Sequence, residues 1–157
     1  MSTTGDADGT AADTRRRGRE AALQMLYQWE IGRQAMPLVR TSFWDVGQPD
    51  AGGVSDRIRA FAERLASGTS ESIETIDPLI EAKAEHWRLE RMPVVDRLIL
   101  RMAVYEFLHE ADTPRAVAID EALELAKRFS TPEAAKFING VLDGVRRRLD
   151  EDATGAR

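Results

Sequence analysis

The chain contains no cysteine and only two histidines among its 157 residues. The lack of cysteine excludes disulfides, thiolate zinc sites and cysteine nucleophiles. His86 and His109 do not stand at a metal-ligand spacing, and no HExxH motif occurs. The glycine-containing segments lack the strand–loop–helix context and the lysine of a phosphate loop. The sequence therefore predicts a protein that is not an enzyme and that has no catalytic site, metal or cofactor.

Long apolar runs and an excess of basic residues are also missing. No apolar run approaches the roughly 20 residues needed to span a bilayer, and residues 1–14 lack the apolar segment of a signal peptide. We therefore expect a cytoplasmic protein without membrane contacts. With 22 basic and 27 acidic residues the formal net charge is −5, so any binding of nucleic acid has to use a local patch.

Helical periodicity is the dominant pattern that is present. The apolar residues of the segment 20–31 recur at i, i+3, i+4 and i+8, which predicts one stripe of an amphipathic helix. Further helix starts are predicted at Ser55, at Pro93, after Asp112-Thr113-Pro114 and at Ser130-Thr131-Pro132-Glu133. Pro78 is predicted to end or kink a helix. No useful stretch alternates with period two, so we expect an all-α fold of about six or seven helices.

Three segments outside these patterns are predicted to be largely irregular. Residues 1–14 are small, polar and acidic, which predicts disorder, and residues 151–157 are predicted to form a second disordered tail. Residues 36–53 are rich in proline and glycine. There, Phe43 and Trp44 suggest a short helical turn on the core, followed by a mobile loop.

Four arginines stand where the first helix is expected to begin, namely Arg15, Arg16, Arg17 and Arg19. With Asp13 or Thr14 as the cap, these cations would face the positive end of the helix dipole, which costs about 0.3–1 kcal/mol each. A phosphate backbone could compensate, because guanidinium groups match phosphate oxygens. The alternative is a solvated, fraying segment that offsets the acidic residues before it.

Two further clusters allow both a functional and a structural interpretation. Arg146-Arg147-Arg148 is predicted to lie at a helix C-terminus, where cations are favourable, so a structural role is preferred. Tyr27 and Trp29 point to different sides of the first helix. Either one of them is exposed towards a partner, or both pack under the 36–53 loop.

The last helix begins with an aromatic, an amide and a cation close together. Phe137, Asn139 and Lys136 could stack on and hydrogen-bond to an unpaired base. Alternatively, Phe137 belongs to the core and Asn139 bonds to buried backbone. From the residues alone, the structural interpretation is favoured.

Three separated motifs, in the same order, resemble the NusB family of bacterial transcription antitermination factors. They are the N-terminal RRRGREAALQMLYQWE, the segment HWRLERMPVVDRLILRMAVYEFL at His86–Leu108, and PRAVAIDEALELAKRFSTPEAAKFINGVLD at Pro114–Asp143. The resemblance covers roughly Arg15 to Leu149, apart from the 36–54 loop. It implies two small packed helical bundles, of about residues 15–82 and 83–150, within one domain of residues 15–150.

The resemblance also implies a function. We expect the chain to bind the single-stranded boxA element of nascent RNA together with NusE, a ribosomal small-subunit protein. Through other Nus factors this pair would join the RNA polymerase elongation complex and suppress premature termination, notably in ribosomal RNA operons.

The same resemblance assigns roles to individual residues. The expected RNA contacts are Arg15, Arg16, Arg17 and Arg19, with Lys136, Phe137 and Asn139 of the KF-x-NG motif as a second set. The expected NusE contacts are Tyr27, Asp96 and Arg101. The family usually has asparagine where this chain has Asp120, which lacks the amide donor and adds a negative charge at that position. The acidic residues before Arg15, including Asp6 and Asp8, could compete with RNA for the arginines.

Two alternatives remain open at this point. A related helical domain precedes the catalytic domain of some ribosomal RNA methyltransferases, although no glycine-rich βαβ unit follows here before Arg157. A homodimer built over the first helix could instead mask the arginines and lack boxA function.

Overall fold

The structure, a computed structural model, describes residues 11–45 and 55–155, and over these residues it is all-α. Seven α-helices and one 3₁₀ turn, Leu89–Arg91, occur in these ranges. The α-helices are α1 Ala11–Gly32, α2 Met36–Phe43, α3 Asp56–Glu71, α4 Ile73–Lys83, α5 Val94–His109, α6 Arg115–Phe129 and α7 Pro132–Gly155. No strand occurs among the described residues, so the predicted fold class is confirmed. None of these helices is long and apolar enough to cross a bilayer.

Local capping signals account for several helix starts. The Ser55 hydroxyl accepts a hydrogen bond from the N–H of Ile58 at 3.2 Å, at the start of α3. The Thr131 hydroxyl likewise accepts one from the N–H of Ala134 at 3.0 Å, at the start of α7. Each hydroxyl satisfies an N–H that the helix itself leaves without a partner. The starts predicted at these two places are therefore confirmed.

The two ends of the chain are more helical than predicted. Within the described residues α1 begins at Ala11, so residues 11–14 of the expected disordered tail are helical and Asp13 lies in the first turn. At the other end, α7 continues to Gly155 through most of the expected tail 151–157. The acidic residues Asp6 and Asp8, and the expected mobile loop at 46–54, lie outside the described residues.

Pro78 neither ends α4 nor marks its boundary, because the helix continues from Ile73 to Lys83 with Pro78 inside it. The buried residues Ile76 and Ile80 lie on either side of it in sequence. Their burial keeps this turn in place although a proline has no N–H to donate.

The described chain divides into two compact units, Met1–Ser70 and Glu71–Arg157. The boundary lies earlier than the one predicted near residue 82. The reason is that α4, which the sequence assigns to the first bundle, packs against α5 and α7.

In the first unit, α1 contacts both α2 and α3. At Gly18, α1 approaches α3 closely. A methyl group added at this position would lie only 2.7 Å from Cδ2 of Phe61. The aromatic pair Phe43 and Trp44 is buried, as predicted for the turn after α1. Glycine at position 18 therefore permits a contact between α1 and α3 that a larger residue would prevent.

In the second unit, α5 is the central helix. Twelve of its residues, from Asp96 to Phe107 without interruption, are buried. The apolar pattern on nearly all faces of this segment predicts such burial. The three charged residues among the first six of these, Asp96, Arg97 and Arg101, therefore need partners inside the unit.

Candidate nucleic-acid and partner interface

The arginines of α1 divide into an inward pair and an outward pair. Successive residues of an α-helix are turned by about 100°, so Arg15 and Arg19 share one face. Their guanidinium carbons lie 4.7 and 5.5 Å from the ring centroid of Phe61. Arg19 is only 3% exposed and Arg15 is half-buried. By contrast, Arg16 and Arg17 are exposed.

This arrangement corrects two sequence-based expectations. Arg19 is a buried arginine that packs on Phe61, so it cannot contact RNA directly while α1 stays docked on α3. In addition, α1 begins at least four residues before Arg15. The dipole effect fades within the first turn, so the expected penalty for arginines at the helix start does not apply.

An open cavity of about 400 Å³ lies beside the inward face of α1. Its described lining comes from α1 and α3 and consists of Ala11, Thr14, Arg15, Arg57, Ala60, Phe61 and Arg64. The guanidinium carbon of Arg64 lies 5.2 Å from the Phe61 ring centroid. The sequence analysis missed Arg57 and Arg64. Their spacing in the sequence could have identified them. Positions i, i+4 and i+7 of a helix lie on one face, and Arg57, Phe61 and Arg64 have this spacing in α3.

The second expected RNA set lies on α7. Lys136 and Asn139 are exposed, and Phe137 is half-buried. Phe137 contacts Trp87 edge to face, with ring centroids 6.1 Å apart. Trp87 is 54% exposed and was not singled out in the sequence. The side chains of this set are therefore partly accessible, and Phe137 is neither wholly core nor wholly free.

The exposed aromatic of the first helix is Tyr27. Tyr27 is 46% and Ile31 50% exposed, and these residues are neighbours on α1. Leu38 of α2, in the same unit, is 61% exposed, whereas Trp29 is half-buried. Adjoining exposed apolar side chains such as Tyr27 and Ile31 are typical of a protein interface.

The other two residues expected to contact NusE are engaged internally. The Ser130 hydroxyl donates a hydrogen bond to Oδ1 of Asp96 at 2.6 Å, and Asp96 is 5% exposed. Arg101 donates from Nε and Nη2 to the two carboxylate oxygens of Asp77, at 2.9 and 2.8 Å. Both residues are buried and tie α5 to its neighbours, so the structure assigns them structural roles.

The prediction that Arg146, Arg147 and Arg148 lie at a helix C-terminus is wrong. They lie inside α7 and not at its end, and each pairs with an acidic residue of the same helix. Arg146 and Arg147 contact Asp143 at 2.6 and 2.9 Å, and Arg148 contacts Asp152 at 3.1 Å. Asp120 lies exposed on α6.

Exposed arginines beside a basic cavity, together with exposed apolar residues, define an all-helical protein suited to bind a polyanion and a protein partner. The chain belongs to the NusB family, whose model matches residues 16–147. It is 48% identical over 139 residues to the transcription antitermination protein NusB of Koribacter versatilis, covering 88% of this chain and 92% of that protein. The protein of the same name from Solibacter usitatus is 46% identical over 138 residues, with 88% and 92% covered.

Solved structures have the same fold. T. maritima NusB is 37% identical to this chain, with a TM-score of 0.75 over 85% of this chain and 90% of that one. A complex of the antitermination factors NusB and NusE with dsRNA contains a chain with a TM-score of 0.71. At 24% identity, over 87% of this chain and 98% of that one, this match supports the fold alone.

Proposed function

We propose that this protein is a transcription antitermination factor that binds single-stranded boxA RNA of nascent transcripts together with NusE. It helps RNA polymerase resist premature termination, notably in ribosomal RNA operons, and it joins the elongation complex through other Nus factors. It acts in the cytoplasm by binding and not by catalysis. The observation that carries the proposal is the exposed pair Arg16 and Arg17, on a helix within the stretch that defines the family.

The RNA contacts are proposed for the arginines that are accessible. Arg16 and Arg17 meet the phosphate backbone, and half-buried Arg15 lies beside them on α1. Guanidinium groups bind phosphate oxygens through paired hydrogen bonds. Exposed Lys136 and Asn139, with the partly covered Phe137, are proposed as a separate set that contacts an unpaired base.

The NusE contact is proposed for the exposed apolar residues of the first unit, with Tyr27 as its main residue. Aromatic residues at the centre of an interface commonly contribute most of the binding energy. The same residues would suit a self-masking homodimer, and the oligomeric state in the presence of RNA distinguishes the two arrangements.

The proposal is tested by fluorescence anisotropy of a labelled boxA RNA and a scrambled RNA, with and without NusE. We expect preference for boxA and tighter binding with NusE. The three arginines of α1 alone should contribute roughly −2 to the slope of log K against log salt. The double variant Arg16→Gln/Arg17→Gln should flatten this slope. The matched control is Arg147→Gln/Arg148→Gln, which removes the same charge from arginines already paired on α7.

Equal and weak binding to both RNAs, unchanged by NusE, would contradict the proposed function. Light scattering on the same samples addresses the homodimer. A mass that remains dimeric at saturating RNA would contradict masking of the arginines.

A further inference from the structure

We propose that the cavity between α1 and α3 binds a phosphodiester group of single-stranded RNA, held by Arg57 and Arg64 of α3 together with Arg15. The proposal rests on the proposed function and extends the RNA site from one helix to two. It assigns ligand contacts to two residues outside the arginine-rich N-terminal segment.

The composition of the cavity lining favours an anion. Three of the seven described lining residues are arginines, contributed by both helices. None of the described lining residues carries a carboxylate. The volume of about 400 Å³ lies within the range of about 300–1,000 Å³ that is typical of small-ligand sites. A site of this charge and size suits a phosphate group with part of its nucleotide.

Phe61 brings the positive charges together. It is only 4% exposed, and its ring lies near the guanidinium groups of Arg15, Arg64 and the buried Arg19, at 4.7–5.5 Å from each. The face of an aromatic ring attracts cations, but it does not remove their charge. Phe61 therefore holds guanidinium groups from both helices beside the cavity.

The geometry also limits the conformations that the arginines can adopt. A guanidinium group held over a ring has lost part of its rotational freedom before the ligand arrives, so less entropy is lost on binding. Arg57 and Arg64 lie two helical turns apart on the same stripe of α3, with Phe61 between them. The guanidinium groups of Arg57 and Arg64 can therefore reach a phosphate in the cavity from the two sides of the Phe61 ring.

Continuity with the outward arginines favours RNA over a small phosphate compound. Exposed Arg16 and Arg17 directly follow Arg15 in α1. A strand whose phosphate occupies the cavity can continue along α1 and meet further guanidinium groups. A positively charged path of this kind is the common feature of single-strand binding sites.

The test uses the full-length protein with NusE and compares Arg57→Gln, Arg64→Gln and the double variant. The matched control is Arg59→Gln, which removes the same charge from α3. Arg59 does not line the cavity, and its guanidinium carbon lies 5.0 Å from the ring of Trp44. Far-UV circular dichroism and urea unfolding verify that each variant is folded. Arg57 is the decisive position, because Arg64 also packs on Phe61.

Each cavity substitution is expected to weaken RNA binding about fivefold near 0.1 M salt, and the double variant about 20-fold. The magnitude of the salt slope should fall by about 0.7 for each arginine lost. Arg59→Gln should leave the slope unchanged. Because the cavity contacts phosphates and not bases, boxA and scrambled RNA should show the same losses.

The outcomes separate this inference from the proposed function. If wild-type protein prefers boxA and depends on Arg16 and Arg17, while the cavity double variant keeps the wild-type affinity and slope, the cavity assignment is wrong and the function stands. If boxA is not preferred, the proposed function is wrong. The cavity assignment is then still tested by comparing the salt slopes of wild-type protein and the cavity double variant with scrambled RNA.

A free phosphate ligand is the other source of the same chemistry. In that case inorganic phosphate at constant ionic strength would raise the melting temperature of wild-type protein but not that of Arg57→Gln/Arg64→Gln. RNA affinity would be the same for both proteins. This combination would overturn the assignment to RNA.

Discussion

Replacing Gly18 with alanine tests whether the close contact between α1 and α3 organises the arginines. An alanine methyl group would lie 2.7 Å from Cδ2 of Phe61 and 3.6 Å from the carbonyl oxygen of Ile58. Real side chains do not approach a ring carbon at 2.7 Å, so either the ring or the helix has to move. Phe61 cannot move easily, because it is buried and surrounded by arginine side chains.

Two opposing free-energy terms decide the result. In the interior of a helix, alanine is more favourable than glycine by about 1 kcal/mol. Overpacking of a tight contact costs about 1–3 kcal/mol. The net effect is a loss of about 0–2 kcal/mol. Because the new methyl group meets a buried aromatic ring, we expect the upper half of this range. Gly18→Ala should therefore lower the free energy of unfolding by about 1–2 kcal/mol.

Gly140→Ala is the matched control. Gly140 also lies inside a helix, α7, but a methyl group there would meet nothing within 4 Å. Only the propensity term remains, so this variant should gain about 0.5–1 kcal/mol. The two identical substitutions are therefore expected to change stability in opposite directions.

Urea unfolding followed by far-UV circular dichroism measures both variants. With an m-value of about 1–3 kcal/mol/M, the midpoint of Gly18→Ala should fall by roughly 0.5–1 M, and that of Gly140→Ala should rise. RNA affinity of Gly18→Ala should fall as well, because Arg15 and the cavity depend on this contact. A rise in the urea midpoint of Gly18→Ala, similar to that of Gly140→Ala, would refute the reasoning.

Three further substitutions test the assignment of partner and structural residues. Arg101→Met should lower the free energy of unfolding by about 2–4 kcal/mol, because the partly buried Asp77 loses both hydrogen bonds. Adding Asp77→Asn should recover part of this loss in urea unfolding, and no recovery would contradict the pairing. Ser130→Ala should cost about 1–3 kcal/mol, since buried Asp96 loses a donor, and an unchanged melting temperature would argue against that role. Tyr27→Ala should change stability by less than about 1 kcal/mol. It should nevertheless weaken NusE binding about 30-fold in a titration, the equivalent of about 2 kcal/mol; unaltered affinity would exclude Tyr27 as the main contact.

The position of the two-unit boundary illustrates what local patterns leave undetermined. The apolar stripe of α4 shows that one face is buried, but it does not show against which helices. Packing of α4 on α5 and α7 settles this. A stripe alone therefore cannot assign a helix to a bundle.

Helical content, several helix starts and the central position of α5 follow from the sequence alone, because these features depend on periodicity and on capping contacts between near neighbours. The Ser55 and Thr131 caps each join residues only three positions apart. The roles of the charged residues depended on the tertiary structure. Asp96 and Arg101 meet partners 34 and 24 residues away, and Arg19 is buried because Gly18 lets α1 approach Phe61. Such contacts bring together residues distant in the chain, so no local pattern specifies which arginines face solvent and which line a cavity.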